Sequence, residues 1–231
     1  MQNTIRKSIL LAQLCDSAFP IGSFAFSNGV ESAVENNLIK DKADLKQYAR
    51  TAVIQALYSD YLAALIAFRA AYGNNYKEIL EADNISYIGK LSSESRGMSI
   101  KMGRKCSEMA TLLFPQNRIA MQWHNDIIEG KCYGCHNISL AIMFRAAGMD
   151  EASLFAALEY GTINMVLNAA LRIFRVSHID TQQILKELCA LASEDYEKIK
   201  ELDLQDIQSF APELDIIASL HEQGTKRMFG N

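Results

Sequence analysis

Two cysteines and two histidines form the pattern in this sequence that most resembles a chemical site. Cys132, Cys135 and His136 follow Cys-x-x-Cys-His spacing, and His124 precedes them. Two thiols at this spacing attach a c-type haem above an axial histidine. Thiolate and imidazole groups also bind zinc or nickel in tetrahedral sites. The cluster therefore admits a haem, a metal ion or neither.

Three interpretations of this cluster follow. Haem attachment normally needs an exported protein, and the apolar run at residues 9–11 is broken by Gln13 and Asp16, too early for a secretory signal. A metal site built from all four side chains is the second interpretation. In the third, the cysteines are small packing residues at a helix start, where His136 caps the helix or forms a hydrogen bond. We favour the third and keep the metal-binding protein as the alternative function.

A second pattern is a row of polar side chains within an apolar segment. Asn164, Asn168 and Arg172 recur every four residues, which places them on one face of a helix. This row is either a solvent-facing stripe or the lining of a polar passage or partner surface. Inside the protein, each unpaired polar group would cost about 1 to 3 kcal/mol.

Composition and absent motifs exclude several classes of protein. The formal net charge is −4, which argues against binding of nucleic acid through phosphate neutralisation. No charge-free apolar run of about 18 residues indicates a membrane span. Five cysteines without an export signal are expected to be thiols in a cytoplasmic protein. Walker, nucleophile-elbow, zinc-protease and dinucleotide motifs are missing, so no motif indicates an enzyme.

Periodicity and proline content predict an all-α fold. Only three prolines occur, and apolar residues recur at three and four over residues 45–56, 62–72 and 91–113. Gly73 and Pro115 are stop signals, and Asp150 is the predicted N-cap of a helix that runs to about Val176. Residues 1–30 and 212–231 are expected to be loop-like or loosely held arms. No linker divides residues 1–231, so we predict one domain.

Three separated motifs resemble those of one protein family. The segment LAQLCDSAFPIGSFAFSNGVE, residues 11–31, is similar to the N-terminal signature of the UreF urease accessory proteins. The residues Glu94, Arg96, Ser99, Met102 and Gly103 resemble the Glu-x-Arg-x-x-Ser-x-x-Met-Gly helix of that family. The segment PELDIIASLHEQGTKRMF, residues 212–229, resembles its closing motif. The motifs occur in the family's order along the whole chain.

This resemblance implies an all-α, non-enzymatic chaperone of urease maturation. UreF-like proteins form a homodimer, bind the accessory protein UreD (also called UreH) and recruit the GTPase UreG to apo-urease. They gate nickel delivery, which is coupled to GTP hydrolysis on UreG, and with UreD they provide a passage to the urease site. Nickel and GTP are then handled by partner proteins, and this chain has no cofactor of its own and no nucleic-acid or membrane partner.

The resemblance also implies roles for particular residues. The N-terminal interaction surface would consist of Pro20, Gly22, Ser23, Ser27, Gly29 and Glu31. The arm that binds UreD would consist of Asp215, Ser219, His221, Glu222, Arg227 and Phe229. Gating would fall to Arg172, with Asn168 and Asn164 in the same row.

Overall fold

A computed structural model describes residues 2–22, 26–27 and 29–208. It confirms the all-α prediction, because this part of the chain contains α-helices and no β-strand. The helices are α1 Gln2–Cys15, α2 Val30–Glu35, α3 Lys42–Ala56, α4 Leu62–Tyr72, α5 Tyr76–Ile88, α6 Ser93–Leu113, α7 Arg118–Ile128, α8 His136–Ala146, α9 Glu151–Ile173, α10 His178–Cys189 and α11 Ala192–Ile199. The single domain stays a prediction, since residues 209–231 lie outside the described part.

Several helix boundaries follow the predicted signals. The carboxylate of Asp150 caps α9 by accepting a hydrogen bond from the N–H of Ser153 at 2.8 Å. Helix α4 ends at Gly73, and α6 ends just before Phe114 and the proline that follows it. Helix α9 ends at Ile173, three residues earlier than predicted, where Phe174 turns to extended backbone.

The expectation of a loop-like N-terminal segment is wrong for residues 2–15, which form α1. Leu14 of this helix is 4% exposed, and Leu10 and Leu11 pack against the same core. These leucines lie on one helix face, so tertiary packing stabilises the helix. The loop begins at Asp16, whose carboxylate accepts a hydrogen bond from the N–H of Ala18 at 2.6 Å.

A π-helical turn at Leu57–Tyr61 joins α3 and α4 into one continuous helix. Two of its backbone carbonyl oxygens accept hydrogen bonds from distant parts of the chain. The N–H of Gln208 donates to Tyr58 O at 3.0 Å, and the side-chain amide of Asn137 donates to Asp60 O at 3.0 Å. Such turns are often found at functional sites.

Helices α4, α8 and α9 supply much of the core. Nine of the eleven residues of α4 are buried, and the fully buried Trp123 donates its indole N–H to Ser139 of α8 at 2.9 Å. Residues 42–72 and α9 are long and apolar enough to cross a membrane, but 61% and 56% of their most apolar 18-residue stretches are buried inside the protein. Core helices of globular proteins can be as long and as apolar as this, so core packing accounts for the composition of these two helices.

Candidate functional site

A cavity of about 600 Å³ brings together parts of several of the sequence features that were predicted to be functional. Its wall includes Ile21 and Gly29 from the N-terminal motif, and Glu94, Ser99 and Met102 from the motif in α6. The polar row of α9 and parts of the π-helical turn complete the same wall. Motifs that are far apart in sequence therefore meet at one site.

The polar row of α9 faces this cavity. Asn164 and Asn168 are half-buried, Arg172 is exposed, and all three line the cavity. This placement favours a polar lining over a plain solvent-facing stripe. The row is not closed off from solvent, because Arg172 at one end of it is exposed. The gating role of the three residues stays a prediction.

The family motif in α6 holds a loop and the start of α8 against that helix. The hydroxyl oxygen of Ser99 accepts a hydrogen bond from the backbone N–H of His136 at 3.1 Å. A Cβ atom at Gly103 would lie 1.9 Å from Gly134 O and 2.8 Å from His136 N, so only glycine permits this approach. Met102 is 2% exposed and fills the adjoining space. These contacts give a physical reason for the Ser-x-x-Met-Gly pattern.

Asp83 of α5 organises the Cys-Tyr-Gly-Cys loop, and the motifs did not reveal it. Its carboxylate accepts hydrogen bonds from the backbone N–H groups of Tyr133, Gly134 and Cys135 at 2.7, 3.1 and 2.8 Å. Burial raises the pKa of Asp83, whereas these donors act in the opposite direction. The sequence did contain one indication of this role, because Asp83 is an acidic residue next to Ala82 on the face of α5 that is buried.

In the described part of the chain, Cys132, Cys135, His124 and His136 do not converge on one metal site. Within the described residues, no group of three or more His, Cys, Asp or Glu side chains is placed to hold a metal ion. The Nδ1 atom of His124 lies 3.0 Å from the hydroxyl of Ser107. Cys135 is fully buried at the N-cap of α8, and burial raises the pKa of Cys132 to about 12. The burial of Cys135 is what the packing interpretation expects, and both that interpretation and the metal-binding alternative stay predictions.

His136 is the first residue of α8 and lines the cavity. Its Nδ1 atom is buried, and no described residue forms a hydrogen bond with it. Burial lowers the pKa of His136 to about 4, so the imidazole is neutral near pH 7. The nitrogen is therefore a polar atom held without charge at the cavity wall.

An ion pair that sequence reasoning missed lies at the π-helical turn. The ammonium group of Lys90 contacts the carboxylate of Asp60, which also accepts a hydrogen bond from the Ser86 hydroxyl at 3.1 Å. Asp60 and Lys90 both line the cavity, and the Lys90 side chain is 13% exposed. A second polar region therefore accompanies the row on α9. Its members come from α5, the π-helical turn and the loop before α6, which no local pattern connects.

The predicted N-terminal interaction residues divide into two groups. Pro20 and Gly22 are exposed, whereas Ser27, Gly29 and Glu31 are buried. Gly29 has φ of 77° and precedes α2, a left-handed conformation that favours glycine. Ser27, Gly29 and Glu31 therefore pack inside the protein and do not lie on its surface. The remaining predicted residues, Ser23, Asp215, Ser219, His221, Glu222, Arg227 and Phe229, lie outside the described part of the chain.

Comparison with known proteins agrees with the motifs at this cavity. The UreF family model matches residues 39–189. The chain is 40% identical over 221 residues to urease accessory protein UreF 1 of Brucella melitensis, covering 96% of this chain and 91% of that protein. It is 34% identical over 227 residues to urease accessory protein UreF of Yersinia pestis, covering 96% and 97%. The chain therefore belongs to the UreF family of urease accessory proteins.

Proposed function

We propose that this chain is a non-enzymatic, cytoplasmic chaperone of urease maturation that works as a homodimer. In this proposal it binds UreD (UreH), recruits the GTPase UreG to apo-urease and gates the delivery of nickel. The observation that carries the gating step is the polar row Asn164, Asn168 and Arg172 on the wall of a cavity that also includes two family motifs. Nickel is the cargo in this scheme, and GTP is hydrolysed by the partner.

Gating by such a scaffold depends on differential binding. A protein that binds both nucleotide states of a GTPase equally well shifts no equilibrium, however tightly it binds. A cationic group at the mouth of the cavity is suited to such discrimination, because its interaction changes with the charge of what it contacts. Arg172 is such a cationic group, because it is the exposed residue at one end of the polar row.

Arg172→Ala tests the gating step. We expect the complex with UreD, UreG and apo-urease to assemble normally, while nickel-dependent activation of urease changes in extent or in metal specificity. Arg175→Ala is the matched control, because Arg175 is also exposed but is not among the residues of the cavity wall. Activation and metal specificity equal to those of the unmodified protein would contradict gating by Arg172.

Arg227→Ala combined with Phe229→Ala tests the assignment of the C-terminal arm. We expect loss of UreD in a pull-down with unchanged helicity by circular dichroism, because interface energy is concentrated in a few arginine and aromatic residues. Lys226→Ala is the control, a neighbouring cation that is not among the predicted partner-binding residues. Undiminished capture of UreD by the double variant would remove the arm from the interface.

The isolated chain provides a third test. We expect it to hydrolyse no GTP and to bind UreG only when UreD is present. Size-exclusion chromatography with light scattering would measure both the homodimer and its complexes. Tight binding of UreG to the isolated chain would contradict the order of assembly.

A further inference from the structure

Glu159 is a buried carboxyl group in the middle of α9. The residue is 1% exposed, and no described residue forms a hydrogen bond with either carboxylate oxygen. A buried polar group without partners costs free energy, so such positions need an explanation. Glu159 does not line the cavity and lies among charged groups of other helices.

An ion-pair cluster clamps α11 onto α3 beside this carboxyl group. The guanidinium of Arg50 contacts both carboxylate oxygens of Asp195, with one Nη2–Oδ1 distance of 2.8 Å. The ammonium group of Lys198 contacts Asp195 Oδ1 at 2.7 Å. The Asp195 side chain is 0% exposed, and that of Arg50 is 18% exposed. The clamp is therefore largely shielded from water.

Titratable or charged groups from three helices and the π-helical turn interact electrostatically with Glu159. These groups are Arg50 of α3, Tyr61 of the π-helical turn, Cys189 of α10, and Asp195 and Lys198 of α11. Glu194 of α11 interacts in turn with Arg50. Arg50 is the only one of these cations that joins α3 to α11. With Glu159 protonated, Arg50 pairs with one carboxylate; with Glu159 ionised, two carboxylates compete for it.

Helix α11 connects this clamp to the rim of the cavity. It has eight residues, and the chain continues through a 3₁₀ turn at Leu204–Asp206 to Ile207 and Gln208, which line the cavity. The N–H of Gln208 donates to Tyr58 O of the π-helical turn at 3.0 Å. The clamp therefore lies a few residues before the part of the chain, residues 204–208, that reaches the cavity rim.

We propose that Glu159 competes with Asp195 for Arg50 when it loses its proton, and that this exchange loosens the clamp of α11 on α3. Burial and the neighbouring charge of Asp195 raise the pKa of Glu159 to about 7, while Arg50 and Lys198 act in the opposite direction. The exchange therefore occurs near neutral pH. Because α11 is short and precedes the cavity rim, loosening it changes how residues 204–208 are held at that rim.

Hydrogen–deuterium exchange of the full chain measures this loosening. After correction for intrinsic exchange rates, we expect the opening constant of peptides from α11 to rise roughly tenfold between pH 6 and pH 8.5. This estimate takes an ordinary glutamate pKa in the opened state and a pKa of about 7 in the closed state. Peptides from α6 and α7 serve as the internal reference.

Glu159→Gln keeps the shape of the side chain and removes its ionisation. We expect the opening of α11 to become independent of pH in this variant. In Glu201→Gln, which changes an exposed carboxylate just beyond α11, the pH dependence should persist. Protection of α11 that does not change with pH in the unmodified chain overturns the proposal. So does an unchanged pH dependence in Glu159→Gln.

Direct titration of the carboxyl group gives an independent result if Glu159→Gln does not fold. In the unmodified chain labelled with carbon-13, we expect the side-chain carboxyl resonance of Glu159 to titrate near pH 7, together with a shift of the Arg50 guanidinium resonance. A midpoint at the ordinary glutamate value, or an Arg50 resonance that does not respond, overturns the proposal.

Discussion

Replacement of Gly103 by alanine is the most direct test of how α6 holds the start of α8. The new Cβ would lie 1.9 Å from Gly134 O, 2.8 Å from Cys135 C and 2.8 Å from His136 N. All three are backbone atoms, so no flexible side chain can move aside. The backbone of the loop or of α6 has to shift to accommodate one methyl group.

The expected magnitude is the difference between two opposing effects. Alanine in a helix interior stabilises by about 0.5 to 1 kcal/mol relative to glycine, because it restricts the unfolded chain. Overpacking in a rigid region costs about 1 to 3 kcal/mol, and a backbone clash belongs at the upper end of this range. We therefore expect Gly103→Ala to lower the free energy of unfolding by about 2 kcal/mol.

Gly97→Ala in the same helix is the matched control. A Cβ atom at Gly97 meets nothing within 4 Å, so only the favourable effect remains. Urea denaturation followed by far-UV circular dichroism gives the free energy of unfolding of both variants. Fluorescence of Trp123, which is fully buried, reports on the packing of α7 against α8.

Equal stabilisation by the two alanine variants would refute the reasoning, because it would mean that the close approach of α6 to the loop does not exist. A smaller loss in Gly103→Ala that still lies below the unmodified chain would mean that the loop relaxes. A raised stability of Gly97→Ala beside a lowered stability of Gly103→Ala is the expected pattern.

Two further predictions concern the same wall of the cavity. Asp83→Asn removes the charge and leaves one acceptor oxygen for the three N–H groups of the loop, so it should lower the free energy of unfolding in urea by about 2 to 3 kcal/mol. Glu81→Gln on the exposed face of α5 should have little effect, and equal effects of the two variants would contradict the role of Asp83. Burial lowers the pKa of His136 to about 4 in the folded chain, whereas a histidine in the unfolded chain titrates near about 6.5. Between about pH 6.5 and 4 the unfolded chain therefore binds more protons than the folded chain. The free energy of unfolding should fall by up to about 3 kcal/mol as the pH drops through this window. His136→Gln should remove this loss in denaturation curves at pH 7, 5.5 and 4, and an identical loss in the variant would contradict it.

Local sequence signals determined the fold class and several helix boundaries. A cap such as Asp150 or a stop such as Gly73 acts within one helical turn, so its effect is read from a few neighbouring residues. Apolar residues at three and four likewise predicted α3, α4 and α6. The N-terminal helix was missed, because its leucines pack against the core and against the distant α9, which a local pattern does not show.

The family motifs also predicted which segments matter, although not how they act. The motif in α6 was recognised from its residues, and the structure assigns Ser99 and Gly103 to the close contact with the loop before α8. By contrast, Ser27 and Glu31 of the N-terminal motif are buried, which a linear pattern does not reveal.

Only the tertiary structure decided the state of the individual chemical groups. Asp83 binds N–H groups about fifty residues later in the chain, and Arg50 reaches Asp195 across 145 residues. The Cys-x-x-Cys-His spacing was compatible with a haem, a metal ion or plain packing, and only the structure shows that Cys135 and the Nδ1 atom of His136 are buried. Helices form from local preferences, whereas charge, protonation and access to a cavity depend on which distant groups exclude water or donate hydrogen bonds.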